Sequence, residues 1–312
     1  MAQVVAIGEI LVEIMATRVG QTFLEPGLFA GPYPSGAPAI FADQAARVGA
    51  TTALIGCVGP DDFGTLNLNR LAASGVDVAG IRRVPGATTG SAFVTYREDG
   101  GRDFIFNIAN SAAATLEPEQ VHADLFQDCR WFHVMGSSLF APGIAAAVRR
   151  GVELARAAGA RISFDPNIRK ELLGRPEVED TIAAVLAATD LLLPSEADLD
   201  HLCPGRSETD AAQALLGAGR SMVVLKKGAR GSSYFDSEQQ IATPAFAAEE
   251  VDPTGAGDCF GGTLVACLAL GVPIGRALRL ANAAGALAVG KRGPMEGNTT
   301  MAELDDFLAA HP

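Results

Sequence analysis

The chain has 312 residues, 48% of them hydrophobic and 19% charged, which suits a globular α/β protein with a sizeable core and excludes a disordered chain. Lys and Arg number 24 against 36 Asp and Glu. The resulting net charge of −12 makes nucleic acid and anionic membrane poor partners, since both require positive charge to neutralise phosphates. The apolar opening MAQVVAIGEILVEIM is broken by Glu9 and Glu13 and lacks a basic leader, so a first strand is expected over 4–7, not a signal peptide. No apolar run reaches the ~18 residues of a membrane helix. The five cysteines (Cys57, Cys129, Cys203, Cys259, Cys267) form no Cys-x-x-Cys pair and suit a reducing, cytoplasmic setting. The four histidines lack metal-ligand spacing.

Residues 21–35 are rich in Gly, Pro and aromatics and suit an irregular loop or small edge strands. Helical spacing follows over 37–48, with Ser35 and Gly36 as its cap. A strand is expected at 53–58 and a helix at 62–73, closed by Gly75. Between 81 and 110 the character changes: SAFVTYRE and RDFIFNI are extended segments joined by Asp99-Gly100-Gly101, a strong hairpin signal. With the segment after Ile14 they are expected to form a small sheet standing off the body, a lid over a cleft.

From Trp131 onward short apolar strands alternate with helices. WFHVM, ARISFD, DLLLP, MVVLKKG and SSYFD read as strands, and 144–158 and 178–189 as helices. This predicts a mostly parallel sheet covered on both faces. Two further helices are expected at 256–270 and 274–289. No linker divides the chain, so 1–312 is expected to be one domain, its lid drawn from about 9–35 and 85–110. In such sheets ligands bind beyond the carboxyl ends of the strands. Gly8, Asp165 and Asp252 are expected there.

The segment that carries chemistry is Asp252-Pro253-Thr254-Gly255-Ala256-Gly257-Asp258-Cys259-Phe260-Gly261-Gly262. A Gly-rich turn opens directly into a helix, so free N–H groups and the helix dipole face whatever binds there, and an anion is favoured. Phosphoryl transfer needs such a place for its shifting negative charge. Asp258 sits inside the turn. A carboxylate there is often only a cap, and the flanking Asp-Pro-Thr together with the small-residue helix favour a reactive role. No Lys-Ser or Lys-Thr follows, so this is not a P-loop. No GxGxxG follows the first strand, so a dinucleotide-binding oxidoreductase is disfavoured. A sugar-binding module without catalysis is a further alternative, opposed by the intact turn and Asp258.

DPTGAGDCFGG resembles the C-terminal signature of the ribokinase-like (PfkB) carbohydrate kinases. PSGAPAIFADQAARVGATTALIGCVGPDDFG, FDPNIR and LANAAGALAVGKRG resemble further family segments, in family order and over essentially the whole chain. The resemblance implies a ribokinase-like α/β fold with a β lid and an ATP-dependent sugar kinase activity. The lid hairpin carries Phe93, Phe104, Ile105 and Phe106, and the apolar surface it leaves uncovered predicts a homodimer formed through the lid. It implies Asp258 as catalytic base, and Gly255, Ala256 and Gly257 as the anion hole. Gly36, Glu13 and Arg169 would meet the sugar. Ser195, Lys226, Gly228, Gly255, Gly257 and Asn282 would line the nucleotide site. Asp252 and carbonyls near Gly293 would hold a monovalent cation, K⁺, with Mg²⁺ arriving on ATP.

Each residue also has a plainer reading. Gly36 can merely begin a helix, and Glu13 can be an exposed strand residue. Lys226 and Arg169 can be surface cations, Asn282 a satisfied buried amide and Asp165 a loop brace. Three departures bear on the substrate. Ile40 stands where the family carries an Asn. Ile105 and Asn107 align with the Tyr and Arg by which 2-keto-3-deoxygluconate kinases grip a carboxylate. Ser195-Glu196-Ala197-Asp198 replaces Asn-x-x-Glu, with oxygen ligands remaining. With Arg169 the only cation placed near the sugar, a neutral ketohexose such as tagatose or fructose is expected, ahead of a sugar acid and of a nucleoside.

Overall fold

The computed structural model describes residues 1–168 and 176–311. In chain order, β1 (Val4–Ile7) leads to β2 (Leu11–Val19) and β3 (Phe29–Ser35), then α1 (Ala37–Arg47), β4 (Thr52–Val58) and α2 (Asp62–Ala73). Short β5 (Val76–Asp77) and β6 (Ile81–Arg83) precede the hairpin of β7 (Gly90–Tyr96) and β8 (Arg102–Asn107). The regular half is β9 (Trp131–Met135), α3 (Pro142–Ala157), β10 (Arg161–Asp165), α4 (Pro176–Ala188) and β11 (Leu191–Leu192). It continues through α5 (Glu196–Leu202), α6 (Glu208–Gly217), β12 (Met222–Lys226), β13 (Ser232–Phe235) and β14 (Gln240–Thr243). The chain closes with α7 (Ala256–Ala269), α8 (Ile274–Val289) and α9 (Met301–Ala310).

The main sheet runs β14-β13-β12-β11-β10-β9-β1-β4-β5, with β6 against β4. From β12 to β5 its pairs are parallel, and β13 and β14 close one edge antiparallel. β1, β4 and β9 are buried along their whole length, because helices cover both faces. The period of two is visible in the core: Val4 and Ala6 pack with α1, α7 and α8, while Val5 and Ile7 pack on the opposite face with Phe132, Phe164 and Val148 of α3.

The second sheet has four strands, in the order β3-β2-β7-β8. Residues 11–35 and 90–107 build it, inside the segments expected from the sequence. Its root is clasped by Asp61, the N-cap of α2. Asp61 accepts from Gly64 N (2.8 Å) and from both the backbone N–H and the hydroxyl of Thr89, each at 2.7 Å. Thr89 directly precedes β7.

Three local expectations are corrected. Ser35 does not cap α1: Gly36 is the N-cap, and the Ser35 hydroxyl donates to Glu13 Oε1 at 2.7 Å. Asp252 does not end a strand. It lies well past β14, in a loop whose Val251 and Asp252 N–H groups both donate to Val289 O. α5, α6 and α9 were not anticipated, although each has a readable start: Ser195-x-x-Asp198, Ser207-x-x-Asp210 and Thr300-x-x-Glu303.

Candidate active site

α7 begins at Gly255, whose φ of +79° lies in the left-handed region. A Cβ there would stand 2.4 Å from Pro294 O, so both backbone conformation and space require glycine. The Gly255 carbonyl accepts from Cys259 N at 2.8 Å. Ala256 N donates to Pro253 O at a long 3.5 Å. The N–H groups of a first turn lack the helical carbonyl partner four residues back, and the dipole there is positive. Asp258 is half-buried within this turn, so a carboxylate adjoins the positive end of the helix.

A cation faces the same turn. Lys226 ends β12, and its Nζ lies 3.7 Å from the Cβ position of Gly257. The same ammonium donates to Asp165 Oδ2, at the end of β10. β10, β11 and β12 are parallel, so both side chains emerge at the carboxyl edge of the sheet. Burial disfavours the Lys226 ammonium, but Asp165, Asp198 and Asp258 outweigh it and hold its pKa above the usual lysine value. Lys226 is therefore neither a surface lysine nor simply part of a wall.

The oxygens expected to remain available at Ser195–Asp198 are engaged. Asp198 Oδ2 accepts from the N–H (2.8 Å) and hydroxyl (2.6 Å) of Ser195, and Oδ1 accepts from Ile168 N at 2.8 Å. Gly228 follows β12 in an exposed turn with φ +54°. Asn282 is buried, and its amide donates to Ser232 Oγ (3.2 Å) and Thr243 O (3.3 Å), so it reaches any nucleotide wall through the loop it braces.

Asp252 and Gly293 come together, as the sequence implied, through a different contact. The Asp252 carboxylate is fully buried and accepts from Thr254 N and Gly293 N, each at 3.0 Å. One carboxylate thus ties the turn before α7 to the loop after α8.

The small sheet supplies the opposite wall. Leu11, Glu13, Gly90, Ala92, Tyr96 and Arg102 are related by register and share one face. Glu13 is 7% exposed, which excludes the exposed-strand reading. Gly36 has φ +111°, and a Cβ there would meet Glu9 O at 2.4 Å, so its glycine is set by the crossing of β1's exit and α1's start. Glu9, which sequence reasoning passed over, is buried where β1 ends and accepts from the hydroxyls of Ser137 and Ser138.

β8 corrects the carboxylate-clamp alignment. Its residues alternate half-buried and exposed, and Ile105 (47% exposed) and Asn107 lie on the outer side. Arg102, Phe104 and Phe106 turn inward. Arg102 Nη1 donates to Thr254 Oγ1 at 2.9 Å, next to the anion turn, and its guanidinium lies 5.5 Å from the Phe104 ring centre. Arg169 lies outside the described residues. It is therefore not the only cation to weigh near the sugar. The alternation R-D-F-I-F-N was the signal that could have found Arg102.

A doubly covered α/β sheet, with an anion-holding helix start, an adjoining carboxylate and a second sheet over them, defines a phosphotransferase-type protein. Residues 1–301 match the model of the pfkB family carbohydrate kinases. The chain is 33% identical to fructokinase-1 of Zea mays over 310 residues, covering 96% of each protein. An E. coli structure carrying the provisional name ribokinase II, in complex with ATP and Mg²⁺, has a TM-score of 0.95 and 50% identity over 100% of both chains. A double-mutant fructokinase of Vibrio cholerae, bound to fructose, ADP and potassium ion, has a TM-score of 0.85 and 28% identity, covering 99% of this chain and 98% of that one. The chain belongs to the pfkB family of carbohydrate kinases.

Proposed function

We propose that this carbohydrate kinase transfers the γ-phosphoryl group of ATP to a hydroxyl of a neutral ketohexose such as fructose. The observation that carries the reading is Asp258, half-buried in the first turn of α7 with Lys226 across the turn. Asp258 takes the proton of the attacking hydroxyl as the new P–O bond forms. The bond to the β-phosphate oxygen breaks, and ADP leaves. The N–H groups at Gly255, Ala256 and Gly257 receive the charge that develops on the phosphoryl oxygens. Glu13 and the backbone at Gly36 face the sugar. The fructokinase relatives and the fructose-bound Vibrio structure support the ketohexose.

Mg²⁺ would arrive with the nucleotide and neutralise its phosphates. Among the described residues no lysine or arginine pairs with Asp252, a fully buried carboxylate, and a monovalent cation suits such a group. Asp252 and the loop at Gly293 would hold K⁺, which would keep the anion turn ordered.

A sugar acid is the second reading, favoured by Arg102 at the rim of the site. Comparing kcat/KM for fructose, tagatose and 2-keto-3-deoxygluconate separates the two. A tenfold or greater preference for the acid sinks the ketohexose assignment.

The assembly is proposed to be a homodimer through the lid, the four-stranded sheet. Its outer side carries Ile105, and Leu24 and Leu28 of the loop between β2 and β3 are 95% and 77% exposed. Apolar surface beside open strand edges is usually covered. A fully active monomer in light scattering would sink this. The five cysteines are all free, which supports a reducing, cytoplasmic location. No helix among the described residues is long and apolar enough to cross a membrane.

A further inference from the structure

Two residues at the turn end of the lid hairpin reach the segment before α7. Tyr96 and Arg102 are directly opposed across β7 and β8, next to the turn at 97–101, and share the inward face. Arg102 donates to the hydroxyl of Thr254 at 2.9 Å. The Tyr96 hydroxyl is buried among Asp252, Glu13 and Arg102, without a hydrogen bond of standard geometry among the described residues. A third lid residue, Tyr33 of β3, packs on the loop after α8: its ring carbons lie 3.0 and 3.2 Å from the Cβ position of Gly293. All three land on the two loops that Asp252 joins through Thr254 N and Gly293 N.

We infer that Arg102 and Tyr96 are positioning residues, which hold the Asp252–Gly255 segment, and through it the anion turn, in the shape needed for phosphoryl transfer when the lid is closed. The cover over the sugar then also sets the geometry of the anion turn. Neither residue needs to touch the reacting atoms. Thr254 stands one residue before Gly255, whose left-handed conformation and close fit to Pro294 O leave little tolerance for displacement. A lid that opens withdraws the Arg102 donor from Thr254 and the Tyr96 ring from Asp252, and the turn loses two supports. ATP held without sugar beneath a closed lid would then meet a poorly formed anion hole, which limits its loss to water.

The inference rests on the kinase reading, but its first test does not use turnover. In Arg102→Met, the backbone amides of 254–258 should exchange with deuterium faster than in the parent protein, by about fivefold or more, while β1 and β9 stay protected. The second readout is kinetic. Arg102→Met should lower kcat by roughly tenfold to a hundredfold, the size of effect expected from a small displacement of a positioning group, with sugar KM changed less than about threefold. Arg102→Lys should recover part of the kcat, and Tyr96→Phe should show a smaller loss of the same kind. Unchanged exchange at 254–258 overturns the inference, and so does a rise in sugar KM at unchanged kcat, which would make Arg102 a sugar-binding group. If no sugar is turned over by the parent protein, the kinase reading fails and the exchange result still decides the coupling.

Discussion

The main sheet and the lid are built by different means. β1, β4 and β9 are buried throughout, and their neighbours are chosen by shape and apolar area. β8 alternates half-buried with exposed residues, and polar contacts join the lid to the body at Asp61 with Thr89 and at Arg102 with Thr254. A body held by packing tolerates little change in volume. A lid held by hydrogen bonds can be loosened one contact at a time. The proposed active site lies on the seam, with α7 given by the body and the opposite wall by the lid.

The largest expected effect falls on the seam itself. Asp258→Asn keeps the shape of the turn and loses proton acceptance, so kcat should fall by about 10²–10⁴ with ATP binding retained. A variant keeping more than about a tenth of parental kcat would remove Asp258 from the role of base. Next comes the body. Phe132 is fully buried on β9, with its ring edge-on to Phe126 at 5.4 Å. Phe132→Ala should cost about 3–5 kcal/mol in denaturant unfolding. A loss below about 1 kcal/mol would show that the body is not packing-limited.

Asp61→Asn probes the lid root. Burial works against the Asp61 carboxylate, but bonds from Thr89 and Gly64 outweigh it and depress its pKa. The folded state then binds fewer protons than the unfolded one, so Asp61's contribution is present above the ordinary aspartate value of about 3.9 and is lost as pH falls through its folded pKa. The Tm gap between parent and Asp61→Asn should be level from pH 7 to 5 and close below about pH 4. A gap that stays open in acid would mean that the asparagine fails for steric reasons. The smallest effect belongs to Ile105→Ser on the outer lid face. It should change unfolding free energy by less than about 0.5 kcal/mol and still weaken self-association in sedimentation. A loss of stability at unchanged association would return Ile105 to the monomer's own core.

The regular half of the chain was the most readable. α2 and α8 fall on the residues their spacing predicts, because period and end signals agree there. α5 and α6 were missed because their N-caps, Ser195 and Ser207, sit in short, mixed-polarity stretches with little apolar rhythm. The turn at 252–258 was legible as chemistry, since glycines before a small-residue helix have few other uses. Its surroundings were not. Lys226 was expected at the nucleotide site only through the family resemblance, its local reading being a surface pair, and the parallel order β10-β11-β12 is what brings it to Asp165 and near Gly257. Arg102 lies 152 residues from Thr254, and no local pattern records a contact at that distance. By itself, the sequence determined most strands and helices of the regular half and marked a glycine turn with its adjoining carboxylate, because these depend on neighbours along the chain. The fold decided which cations face the site, which face of β8 turns inward and what braces Asp252, because those depend on register and on the packing of segments distant in sequence.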